Sequence, residues 1–125
     1  EGAGLGVARC ARGGGGCFVS GAVVPASATA PVPEGGAGPA DLALGPIARA
    51  LADARSSLMD GVRVRVFVTE RSDVPSISAV LKRRLGEAAP ANTTICCAMA
   101  VDGARVEIEV TARLQPITAS PLGHP

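Results

Sequence analysis

Between Val62 and Val68 apolar and polar positions alternate almost perfectly, with Val62, Val64, Val66 and Val68 set against Arg63, Arg65 and Phe67. A period of two puts successive side chains on opposite faces, so this run predicts a strand with one buried valine face. From Asp41 onward the period changes. Leu44, Ile47, Ala48, Leu51, Ala54 and Leu58 recur at three- and four-residue spacing, the stripe of an amphipathic helix. Gly45-Pro46 interrupts it, and since proline suits a first turn, the helix is expected to begin near Gly45 or to follow a separate turn. A second helix is predicted after Ser72 or Asp73 as its cap. Val74, Ile77, Val80, Leu81 and Leu85 form its apolar face, Lys82, Arg83 and Glu87 face water, and Gly86 lies near its end.

The flanks read as strands. Val7–Arg12 and Cys17–Val24 are expected to pair as a hairpin turned by Gly13–Gly16, and Thr93–Val101 and Arg105–Leu114 as a second hairpin around Asp102-Gly103. The stretch from Pro25 to Ala40, rich in Pro, Gly, Ala, Ser and Thr, is expected to be a flexible loop, and the tail 116–125 to be loose. The order strand, strand, helix, strand, helix, strand, strand predicts an α+β fold, a mixed sheet with two helices packed on one face.

Composition adjusts this outline. The 125 residues suit one domain, 1–125, and with 2% aromatic residues the core must be built from small aliphatic side chains. Such side chains bury less area each, so a lone subunit gains from association. A net charge of +1 with no basic run argues against nucleic acid as a partner. The sequence holds no apolar stretch of about 18 residues that would span a membrane, and the expectation is a cytoplasmic protein. Adjacent Cys96 and Cys97 cannot share a strand face, so the four cysteines are read as thiols rather than a disulfide framework. His124 alone offers no zinc set, and no metal is expected. Asn92-Thr93-Thr94 matches a glycosylation acceptor, but it opens a strand and no secretory signal is seen.

Three stretches together resemble the RidA family, also called YjgF, across about Val7 to Leu114. Cys17-Phe18-Val19-Ser20-Gly21 is similar to the family's strand ending in Ser-Gly, and Val62 to Thr69 to its V-x-V-x-V-F-L-T/D strand. Pro90-Ala91-Asn92-Thr93-Thr94 followed by Arg105 to Val110 is similar to P-A-R-S/T and V-E-I-E. The resemblance implies a RidA/chorismate-mutase-like fold, a homotrimer, and a cofactor-free cleft between subunits where many members hydrolyse imines or enamines. It also implies roles. Glu107 matches the glutamate that positions water, the catalytic candidate; Ser20 and Gly21 match a backbone corner that offers an N–H to substrate oxygen.

Asn92 stands where the family carries a carboxylate-binding arginine, and Ser78 and Leu81 replace an Asn and a Tyr, while Val7 falls near a cleft tyrosine. An amide supplies no charge, which costs on the order of 1.5–3 kcal/mol at a desolvated site. Arg9 or Arg105 could take over the carboxylate. Asn92, Thr94 and Cys96 alternate along one strand and are expected to line the cleft together as substrate-binding residues. The expected function is a hydrolase, deaminase or lyase-type enzyme acting on a small imine, enamine or carbonyl intermediate in specialised biosynthesis. The alternative is a noncatalytic small-metabolite-binding or regulatory protein that uses the same cleft.

Overall fold

The computed structural model describes residues 9–25 and 38–115. Val7, most of the 25–40 loop and the 116–125 tail with His124 lie outside the described residues. Five strands and two helices follow in the order β1 (Cys10–Gly13), β2 (Gly16–Pro25), α1 (Pro39–Asp53), β3 (Gly61–Val68), α2 (Val74–Leu85), β4 (Ala91–Cys96) and β5 (Ala104–Arg113). The strands form one mixed sheet ordered β1-β2-β5-β3-β4. Among the described residues no helix is long and apolar enough to cross a membrane.

Register fixes the two faces. Val64, Val66 and Val68 stand opposite Val110, Ile108 and Val106, and these pair positions are all buried. Leu44, Ile47 and Leu51 of α1 and Ile77, Val80, Leu81 and Leu85 of α2 pack onto that face as one core cluster. Both helices therefore cover the same side, as the alternating valines predict. Residues between the valines, among them Arg63, Arg65, Phe67, Glu107 and Glu109, look the other way. The helices are also tied by charge. Arg83 and Arg84, in the last turn of α2, donate to Asp41 in the first turn of α1 at 2.6 and 2.9 Å, which sets cations at a helix C-terminus and an anion at an N-terminus.

Three expectations need correction. The helix α1 begins at Pro39 and runs unbroken through Pro46. Pro39 occupies the first turn, where its missing N–H costs nothing, and the carbonyl that Pro46 leaves unbonded belongs to Leu42, which is exposed and can be hydrated. The stripe also ends sooner, because Arg55 adopts a left-handed conformation (φ 62°) and Leu58 falls in a short 3-10 turn.

The second correction concerns the last strands. Asp102-Gly103 does turn the chain, with Gly103 at φ 77° and the Ala104 amide donating to the Val101 carbonyl at 3.2 Å. Yet β4 and β5 are not partners. β3 lies between them, antiparallel to β5 and parallel to β4, so β3-α2-β4 is a crossover unit and residues 97–103 carry the chain past the end of β3.

Third, Cys10 and Cys17 are joined in a disulfide across the first hairpin, with Cα atoms 6.1 Å apart. Cys10 pairs with Val19 and Cys17 with Arg12, so the cysteines are diagonal neighbours on one face, within side-chain reach. Cys96 and Cys97 remain thiols.

Candidate functional site

The uncovered face of the sheet is organised in cross-strand rows. One row runs Glu107, Phe67, Ile95; the next Glu109, Arg65, Thr93; a third Phe18, Thr111, Arg63, Ala91. Arg65 donates to Glu109 at 3.0 Å, and Phe18, Arg63, Arg65, Glu109 and Thr111 line a shallow hollow of about 360 Å³. Phe18 and Ile95 are 53% and 41% exposed, so apolar surface on this face is left open by the single chain.

Glu107 is the distinctive group of the face. Val19 pairs with Val110 and Ala22 with Ile108, so Ser20 and Gly21 together oppose the single Glu109, a β-bulge. The bulge brings the Gly21 backbone against Glu107: a Cβ at position 21 would collide with its carboxylate. Burial against this corner, and next the nearby Glu109 charge, push the Glu107 carboxyl above its ordinary range. The structure thus brings Gly21 and Glu107 together.

Asn92, Thr94 and Cys96 lie elsewhere. They stand beside Val64, Val66 and Val68, on the helix side of the sheet, but α2 does not extend over β4 and all three are exposed. Thr94 Oγ1 donates to Asn92 Oδ1 at 3.1 Å. Asn92 lines a groove of about 200 Å³ between α2 and β4 with Ser78, Leu81 and Lys82, so three of the four positions that depart from the family's residues meet in one place. Cys96 lines a different hollow, at the end of β4. The expected site residues therefore separate: Gly21 and Glu107 on one face, Asn92 and Thr94 on the other, Cys96 at the strand end.

Two cations stand near these groups. Arg105 grips Asp73 with two bonds, Nε to Oδ2 at 2.8 Å and Nη2 to Oδ1 at 2.7 Å, and this hydrogen-bonded guanidinium holds the Asp73 carboxyl below its ordinary range. Arg105 is thereby committed to anchoring the start of α2. Lys82, which helical periodicity assigns to water, also lines the groove beside Asn92. Sequence offered one hint: it lies four residues after Ser78, on the same helix face. Among the described residues no three His, Cys, Asp or Glu side chains gather as a metal cluster.

The family model described as Endoribonuclease L-PSP matches residues 9–114. Among solved structures, a YjgF/YER057c/UK114-family protein of Mycobacterium tuberculosis is 28% identical, with 85% of each chain covered and a TM-score of 0.68. A Thermotoga maritima protein described as a candidate endoribonuclease is 25% identical over 86% of each chain, with a TM-score of 0.69. A YjgF-family protein of Neisseria meningitidis, 20% identical over 87% of each chain, shares the fold with a TM-score of 0.72. No curated protein matches the chain significantly.

Proposed function

The chain belongs to the endoribonuclease L-PSP family, that of the YjgF proteins, and from this premise we propose a cofactor-free enzyme acting on a small imine, enamine or carbonyl intermediate at a cleft between subunits of a homotrimer. The observation that carries the reading is the Glu107 carboxyl, packed on the Gly21 bulge in the middle of an uncovered sheet face. A carboxyl with a raised pKa can take a proton from water near neutrality. The water oxygen adds to the imine carbon while Glu107 passes that proton to the nitrogen; the hydroxyl of the resulting carbinolamine then gives its proton to the nitrogen as the C–N bond breaks, so imine and water become carbonyl compound and amine. No external oxidant or metal enters that balance.

The subunit cleft is supported by the separation of the groups. Glu107 and Asn92 lie on opposite sides of one sheet, so only a second copy can bring an Asn92–Thr94 edge to a Glu107–Gly21 face. Ribonuclease activity is not carried over from the relative, because a net charge of +1 and the Arg65–Glu109 pairing leave little basic surface for a phosphate backbone.

The second reading, a noncatalytic metabolite-binding protein, is favoured by the neutral Asn92. Both are tested on a panel of imines, some generated by an amino acid oxidase and bearing an α-carboxylate, some without one, by following imine decay with and without protein. The enzyme reading expects turnover of the carboxylate-free members and weak or absent turnover of the others. Ligand binding without turnover across the panel selects the second reading. Comparable turnover of carboxylate-bearing imines that is lost in Lys82→Gln would assign the missing charge to Lys82.

A further inference from the structure

As the chain leaves β4 it reads Cys96-Cys97-Ala98-Met99, three sulfur side chains in four residues. Cys97 is the first residue beyond β4. Both cysteines line one open hollow of about 540 Å³, and so do Met99 and Asp102. The base of this loop is held in place: the Cys97 amide donates to the Val68 carbonyl at 2.9 Å, and the Cys96 thiol lies 3.8 Å from the Thr69 carbonyl on the hollow's wall. Both thiols are free, Cys96 exposed and Cys97 half-buried, while the other two cysteines are consumed in the Cys10–Cys17 disulfide.

This donor set is selective. A structural zinc ion takes four nitrogen, sulfur or carboxylate donors, and although Asp102 also lines the hollow, no three His, Cys, Asp or Glu side chains among the described residues gather closely enough to hold one. A thioether is a poor ligand for zinc but a good one for a soft ion, and thiolate with thioether selects monovalent copper. We propose that Cys96, Cys97 and Met99 form a binding site for a soft monovalent d¹⁰ ion of the copper(I) class, separate from the Asn92 groove and from Glu107. Binding leaves the oxidation state unchanged: Cu⁺ and two thiols give a bis-thiolate copper(I) complex and two protons released to solvent, with the neutral Met99 sulfur as third donor.

The test uses the full chain with its disulfide intact. Copper(I), kept reduced by ascorbate, is offered as its coloured bathocuproine disulfonate complex, and loss of that colour counts the copper withdrawn. One copper per chain is expected, with zinc at the same concentration failing to compete. Cys96→Ser/Cys97→Ser should abolish the transfer, and Met99→Leu, close in volume, should weaken it about tenfold, the scale on which a supporting group affects a metal site. Circular dichroism melts of the variants should match the parent, since the exchanges nearly conserve volume and none of the three positions belongs to the core cluster. The proposal is overturned if no copper is withdrawn, if the double serine variant still withdraws it, if Met99→Leu binds as tightly as the parent, or if zinc competes equally.

Discussion

At the scale of single residues the proposed chemistry turns on Glu107 and on the glycine beside it. Under the enzyme reading Glu107→Gln keeps the size and hydrogen bonding of the side chain while removing its exchangeable proton, so turnover should fall by roughly 10² to 10⁴. A binding protein would instead keep its ligand within a few-fold. The same substitution has a second readout. Because the folded chain holds the Glu107 proton more tightly than the unfolded chain does, stability declines as pH rises from the ordinary glutamate range through the raised value. The glutamine variant lacks that decline and should be slightly more stable at neutral pH, by less than about 1 kcal/mol since water still reaches the group. Denaturant melts at acidic and neutral pH check the sign. Gly21→Ala attacks the arrangement from the backbone side. Its new Cβ meets the end of the Glu107 side chain, which can swing away, so the fold should lose little while turnover falls and the Glu107 titration returns towards the ordinary range. Gly13→Ala, where a Cβ meets nothing within 4 Å, is the control. Carbon-detected NMR titration of the carboxyl reads the difference directly.

Among the elements, what holds the start of α2 is the two-bond grip of Arg105 on Asp73, which ties the β3–α2 turn to the first residues of β5. Asp73→Asn weakens that grip and should cost roughly 1–2 kcal/mol, less than a fully buried pair because Arg105 is about one-third exposed. The carboxyl is held below its ordinary range, so its contribution is complete at neutral pH and lost on acidification below about pH 4. The parent should therefore lose stability on acidification more steeply than the variant, and paired urea titrations show it. Elements of this kind were legible in sequence wherever the signal was local. The valine alternation gave β3 to within a residue, and the 3.6-residue stripe gave the core face of α2 in full. Pairing was less legible. Asp102-Gly103 turns the chain as its residues demand, but which strand then lies beside β5 depends on β3, more than thirty residues earlier, and no local pattern carries that choice. The Cys10–Cys17 bridge was hidden for a related reason, since its geometry comes from hairpin register and not from cysteine spacing. Alternation did place Asn92, Thr94 and Cys96 on one face. It said nothing of how far α2 reaches over β4, and that reach decides which hollow each residue lines.

For the molecule as a whole, the unequal treatment of the two sheet faces is the dominant fact. Two helices cover one side, while the other presents Phe18, Phe67 and Ile95 among paired charges, and β4 is exposed along all six of its residues. An edge strand with open backbone groups is normally shortened, charged or covered, and β4 carries no charged side chain to discourage another chain. A core of small aliphatic side chains adds a reason for burying more surface through association. The expected state is a homotrimer, and light scattering at micromolar concentration should give a mass near three times 12.4 kDa. The face can be tested separately from the state. Ile95→Lys puts a charge at the β4 end of the Glu107–Phe67–Ile95 row, next to Phe67, without touching the core on the other side of the sheet. Desolvating an unpaired ammonium costs several kcal/mol, enough to dissociate a modest interface. The variant should therefore run as a folded monomer with an unchanged circular dichroism spectrum and lose any turnover the parent shows, because Glu107 of one chain would no longer meet the Asn92 edge of the next. A parent that is monomeric from the outset, or an Ile95→Lys variant that stays trimeric and active, would place the partner surface elsewhere and leave Glu107 and Asn92 without a shared cleft.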